Sequence, residues 1–431
     1  MTTPTDFFGA AARAWKATEP RHLLLYAGLI LQLHKDTREI SQGLLIIWLT
    51  TSWLLEILQP IKAGKPSQRS QLYALATGLL IVESRTIVDN TNDGGVTQFL
   101  LIAAGLISTA ALSQGQAKRL LQWISLASLT LSIRLLLPLI STYDLTEAGT
   151  FAMYKEVFLE GFGDINQLRI ILAVLSTSCF TSLRISTSIS AKFLSGAAFL
   201  SSYFMVVLTG SRMAMIAPLA GILLGWLISH WDTLQALSKR TKRTAIAAIA
   251  ALITTASIKL VILPDLANGM DSDRVRIQIA SCWLRSIWSG DNRFLLGTGH
   301  DKSPILKLCT DTNIGLIHEL SDISSSGHAH NTFVNLIAHF GVLGLIAIAM
   351  LIAVLGRSVL INLKQEANAK TRKSLWAPCW SETSVTILIA IAVCAASNTI
   401  YIYNLAIPLV LGLLLAIPLC QNTETSEAQS T

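Results

Sequence analysis

The feature that most constrains this chain is the recurrence, from end to end, of apolar runs close to the length that crosses a bilayer. These runs, among them the uninterrupted AIAALITTASIKLVIL and LIAIAMLIAVL, are too regularly spaced to be the cores of soluble domains. Inside about 30 Å of hydrocarbon every backbone N–H and C=O must be satisfied internally, which leaves helical bundles and closed β-barrels. Barrel strands are short and alternate in polarity, so the fold class is an all-α integral membrane protein. With 52% hydrophobic and 14% charged residues, the composition excludes an ordinary soluble domain.

The reading is one polytopic membrane domain over 1–431. About twelve spans are predicted, at 22–35, 40–59, 71–88, 96–113, 120–140, 165–183, 193–209, 212–231, 244–263, 331–355, 382–399 and 404–420. The first is short for a crossing and could form a hairpin with the second. The N-terminus lacks the pattern of a removable signal peptide, and the polar tail 421–431 reads as disordered.

The formal charge of +7 does not point to nucleic acid. Most of the basic residues stand in short connections, among them Lys62, Lys65, Lys118, Arg119, Arg184, Lys192, Lys239, Arg240, Arg357 and Lys364. All of these fall on one side of the predicted topology, and the positive-inside rule makes that side cytoplasmic, with both termini. The longest connection, 264–330, then faces outward. Within it Val275, Ile279, Cys282, Trp283 and Ile287 recur at helical spacing opposite Arg274, Gln278, Ser281 and Arg285, which predicts an amphipathic helix lying at the membrane surface. Trp283 and Trp288 suit the headgroup level. Cys282 and Cys309 both fall in this outer loop, an oxidising setting in which they could form a disulfide.

Charges near spans are expensive and signal function. Arg85, Arg134, Arg169 and Arg212 lie toward the outer ends of their predicted helices, and Arg274, Arg276 and Arg285 join them from the loop. Guanidinium forms paired hydrogen bonds to phosphate oxygens, so the group reads as a site for a phosphorylated ligand. For any one of them, snorkelling to the interface is the plainer explanation. Arg212 stands out because a cation in a first helical turn opposes the helix dipole, while Ser211 before it suits a cap. It makes sense if the exposed amides and the guanidinium hold an anion together.

At the far end of the loop, His328, His330 and Asn331 open the span HAHNTFVNLIAHFGVLGL. Three readings compete with a plain interfacial role. Zinc binding with His300 and His318 matches no strong ligand spacing. A proton relay needs further protonatable groups across the membrane, and His230 lies on the far side. A general base near neutral pH suits an imidazole. His339, deeper in the same span, reads as a packing residue, and Gly341 and Gly344 as places where a neighbouring helix approaches closely.

Three blocks in order, LTGSRMAMIAPLAG, SDRVRIQIASCWLRSIWSGDNRFLLGTG and HAHNTFVNLIAHFGVLGL, resemble the O-antigen ligase and polymerase superfamily of bacterial membrane glycosyltransferases. The resemblance is closest to the lipopolysaccharide O-antigen ligases. It places Arg212 and Arg274 at the family's arginine positions and His330 at its catalytic histidine, with Arg276 a fallback for Arg274. Gln278 departs from the pattern, since an aromatic is common there in relatives.

The resemblance implies transfer of a glycan from undecaprenyl diphosphate to a sugar hydroxyl of lipid A core, at the periplasmic face of the bacterial inner membrane. Arg212 and Arg274, helped by Arg276, Arg85, Arg134 and Arg169, would hold the diphosphate and stabilise it as it leaves. His330 would act on the acceptor hydroxyl, with His328, Asn331 and Ser211 in support. No metal and no cofactor are required by this reading, and a single displacement inverts the anomeric centre. A polymerase of the same superfamily would use another carrier-linked unit as acceptor. A transporter or lipid-linked glycan flippase is the alternative of another class, although the two halves of the chain show no repeat.

Overall fold

The computed structural model describes residues 20–32, 112–142, 165–230, 279–285, 293–298, 331–368, 379–397 and 406–420, with single positions between 40 and 48, between 102 and 110, and at 158. The elements among them are helices: α1 (Pro20–Gln32), α2 (Gln114–Thr142), α3 (Ile165–Ile185), α4 (Ile189–Leu208), α5 (Arg212–Ser229), α6 (Arg293–Leu296), α7 (Thr332–Asn368), α8 (Trp380–Ser397) and α9 (Ala406–Leu415), followed by a 3₁₀ turn over Ile417–Leu419. Five helical segments among the described residues are long and apolar enough to cross a membrane: Gln114–Ile140, α3, α4, α5 and Ile348–Glu366. The predicted spans at 71–88 and 244–263 lie outside the described residues, as do most of 264–330 and the tail 421–431.

Local chemistry sets the helix starts. At α2, Ser113 and Gln116 cap each other: the Gln116 N–H donates to Ser113 Oγ and the Ser113 N–H to Gln116 Oε1. Ser188 caps α4 by accepting the Ala191 N–H.

Helix α3 is the hub of the bundle, buried along most of its length and packed against α2, α4, α5 and α8. Its many hydroxyls are compatible with that burial because they bond within the helix. Ser176, Thr177, Ser178 and Thr181 each donate to a carbonyl three or four residues earlier, so no polar group is stranded. Ser182 and Ser195 share a 2.9 Å hydrogen bond that ties α3 to α4.

Helices α5 and α8 pack backbone to backbone. A Cβ on Gly221 would stand 2.6 Å from the Thr386 carbonyl oxygen, and one on Gly225 would stand 2.9 Å from Thr386 Cα. This is the close approach that a Gly-x-x-x-Gly face provides where lipid tails give helices no hydrophobic drive to associate. Large apolar side chains point outward instead, including Phe193, Leu200, Phe204, Leu219, Leu224, Met350 and Ile352. In water such a surface would be a liability; in a bilayer it is the solvated one.

The span predicted at 331–355 differs from expectation. Helix α7 runs to Asn368 and is broken at Gly341, whose φ of 61° and ψ of −147° are not helical. Backbone in that region interrupts the i→i−4 ladder, so α7 is two joined pieces, and the stretch of membrane length is the second one.

Candidate active site

The contacts between helices sort into two ends. One carries Arg169, Thr209, Arg212 and Asn331; the other carries Arg184, Ser186, His230 and Glu382. At the first end, α4 stops at Thr209, Gly210 turns the chain with φ 66°, and Ser211 caps α5 by accepting the Ala214 N–H at 3.4 Å. Arg212 is therefore the first residue of α5 and is half-buried, next to the amides of the first turn.

The turn is held from below by Arg169 of α3. Its Nε and Nη2 both donate to the Thr209 carbonyl, at 3.2 and 2.9 Å, while Nη1 reaches Asn166 Oδ1. A guanidinium at a helix C-terminus meets the negative pole of the dipole, so Arg169 stabilises the end of α4 and thereby fixes where α5 begins. The sequence grouped Arg169 with anion binders; this tie to Thr209 was not legible, because the two residues are 40 positions apart.

Asn331 caps α7, accepting the Val334 N–H on Oδ1 at 3.0 Å, and its Nδ2 donates to the Ala396 carbonyl at 2.7 Å. The position immediately after His330 is thus anchored to the C-terminal end of α8. The antiparallel register of α5 on α8, with Gly225 and Gly221 facing Thr386 and Ala390, brings the start of α5 to that same end. His330, His328, Arg274, Arg276 and Arg85 lie outside the described residues. Arg134 is half-buried about two turns before the end of α2.

Two pieces of the long loop dock on the first half of α7. Residues 279–285 are helical, as the spacing predicts. Their apolar face, Ile279, Cys282 and Trp283, packs on Val334, Ile337 and Ala338 of α7. Trp283 is only 2% exposed and meets His339 edge to face, with ring centroids 5.5 Å apart. His339 is accordingly a buried packing residue.

The second piece is α6 and its following turn. The Thr298 N–H donates to the Ala338 carbonyl at 3.0 Å, and a Cβ on Gly341 would stand 2.6 Å from the Leu295 carbonyl and 2.7 Å from Gly297 N. The close partner of Gly341 is therefore the short helix α6 and the turn after it. Gly344 faces Leu336 and Phe340 of its own helix across the break. Cys282 is disulfide-bonded, and Cys309 lies outside the described residues.

Residues 196–349 match the family model described as O-antigen ligase. Over this segment the chain resembles the O-antigen ligase family. The three sequence blocks fall inside the matched O-antigen ligase segment, as do Ser211, Arg212, Arg274, Arg276, His328, His330 and Asn331, whereas Arg85, Arg134 and Arg169 precede it. The chain matches no curated protein. The match supports a glycosyltransferase-like enzyme of the O-antigen ligase or polymerase type, and the apolar helices suit a multi-pass membrane protein.

Proposed function

We propose that this chain is an O-antigen ligase, transferring a glycan from undecaprenyl diphosphate to a lipid A-core hydroxyl at the periplasmic face. The observation that carries the reading is that the two family blocks bearing Arg212 and Asn331 start helices at one end of the bundle, inside the matched segment. In the proposed step the acceptor oxygen bonds to the anomeric carbon as the bond from that carbon to the diphosphate oxygen breaks, and the centre inverts. His330 takes the hydroxyl proton. Arg212, with the amides of its helix start, and Arg274 meet the charge that develops on the leaving diphosphate.

The loop also holds one Asp-x-Asp triplet, Asp271-Ser272-Asp273, directly before Arg274. The metal-independent form of the reaction is therefore tested with a chelator. Purified protein given lipid-linked glycan and lipid A core should form the ligated product in EDTA. Loss of product that magnesium or manganese restores would replace the arginine-only mechanism with a metal-assisted one.

The same assay separates the alternatives. Consumption of a second lipid-linked unit in place of lipid A core would identify a polymerase. Movement of lipid-linked glycan across vesicles with no new glycosidic bond would identify a flippase. A folded His330→Gln variant should lose transfer by about a hundredfold or more, and full activity in that variant would remove the base from the mechanism.

A further inference from the structure

We propose that the end of the bundle opposite Arg212 carries a transition-metal site, suited to zinc, formed by His230, Cys379 and Glu382. These residues come from two helix termini. His230 closes the C-terminus of α5, Cys379 immediately precedes α8, and Glu382 lies in the first turn of α8. One ligand atom from each lies within 4.8 Å of the other two. His230 and Glu382 are buried and Cys379 is half-buried. Tetrahedral zinc with bonds of about 2.0–2.3 Å sets its ligand atoms about 3.3–3.8 Å apart, so small side-chain rotations complete the set without moving a helix.

The surroundings orient the ligands. His230 Nδ1 lies 3.0 Å from the Trp226 carbonyl. A carbonyl only accepts, so Nδ1 carries the hydrogen and Nε2 keeps the lone pair. The Trp226 ring stacks on the imidazole with centroids 5.5 Å apart and holds its plane. A backbone carbonyl on the second ring nitrogen is the arrangement that metal-binding histidines use to fix tautomer and direction.

Glu382 is held in turn by Arg184 of α3, which donates Nε to Oε1 and Nη2 to Oε2, both at 3.2 Å. Each oxygen retains a second lone pair, so the carboxylate can bridge guanidinium and metal. The charges also balance. Thiolate and carboxylate offset a divalent ion, and a further carboxylate, Glu366, lies beside Cys379, its Oε1 accepting the Trp380 and Ser381 N–H groups.

A thiolate with an imidazole favours zinc over magnesium or calcium, which take oxygen ligands. Three protein ligands leave a fourth position for water. The site lies about 27 Å along α5 from Arg212, given 1.5 Å per residue. It acts as a clasp joining α5 to α8 where both meet α3, and it does not depend on the transfer reaction.

The test uses the full-length protein in detergent with its affinity tag removed, loaded with zinc or cobalt(II) and dialysed against metal-free buffer. Elemental analysis should give about one zinc per chain, and the cobalt form should show a thiolate-to-cobalt charge-transfer band in the near ultraviolet. Cys379→Ser and His230→Ala should each weaken zinc binding by at least about tenfold, and Cys379→Ser should abolish the band. Circular dichroism checks folding, and the near-isosteric Cys379→Ser keeps the test decisive if His230→Ala does not fold. Wild-type protein left without zinc after loading, a cobalt spectrum lacking the band, or zinc held equally well by folded Cys379→Ser would overturn the proposal.

Discussion

At the scale of single residues, the arginines divide by what each guanidinium touches. Arg169 spends two donors on the Thr209 carbonyl, so in the proposed mechanism its influence passes through the turn that presents Arg212. Arg212→Ala should lower kcat by about a hundredfold or more, and Arg212→Lys should recover only part of it, because an ammonium keeps the charge and loses the fork. Arg169→Met should act differently. Removing charge-assisted bonds of about 1.5–3 kcal/mol should lower the melting temperature together with turnover, whereas Arg212→Ala should leave the melting temperature close to wild type. Parallel thermal melts and initial rates check both. Arg212 was legible from its awkward place in a first helical turn. The Arg184–Glu382 pair was not, since nothing in the spacing of residues 198 positions apart announces a contact.

At the scale of elements, the docking of the loop on α7 rests on two glycines back to back. Gly341 occupies a backbone region essentially reserved for glycine, which costs other residues about 1–3 kcal/mol, and a Cβ there would strike the Leu295 carbonyl. Gly341→Ala should therefore lower the melting temperature by several degrees and make the loop before α7 more sensitive to limited proteolysis, while a control Gly356→Ala, which meets open space, changes neither. The disulfide is a second check. Cys179, Cys379, Cys394 and Cys420 are thiols and Cys282 is bonded, so non-reducing peptide mapping should recover Cys282 and Cys309 in one linked pair. The helical face of 279–285 could be read from periodicity. Its partner could not, because lipid and a helix flank look equally apolar to a sequence pattern. For the same reason the Gly-x-x-x-Gly face of α5 was present in GILLG as a signal, but nothing there named α8 as the surface it meets.

At the scale of the whole molecule, the contacts among the described residues respect one up-and-down order. Gln122 meets Ser186, Arg184 meets Glu382 and Asn362 meets Pro418 at one end, while Arg169 meets Thr209 and Asn331 meets Ala396 at the other. The sequence reached that order from hydropathy and basic residues because a bilayer leaves so few alternatives. It also assigns the end carrying Arg184 to the cytoplasm. Fluorescent-protein fusions after residue 431 should then glow and phosphatase fusions there should be inactive, with the reverse for fusions within 300–325; the opposite pattern would invert the orientation. The break at Gly341 has a consequence at this scale. Below it, α7 is fastened to the bundle through Asn362, and above it a short arm carries both the polar tip and the docked loop. The joint works like a mitre in carpentry: the angle of the arm is set where the two pieces meet, so the arm can be re-aimed over evolution while the post beneath stays where it is.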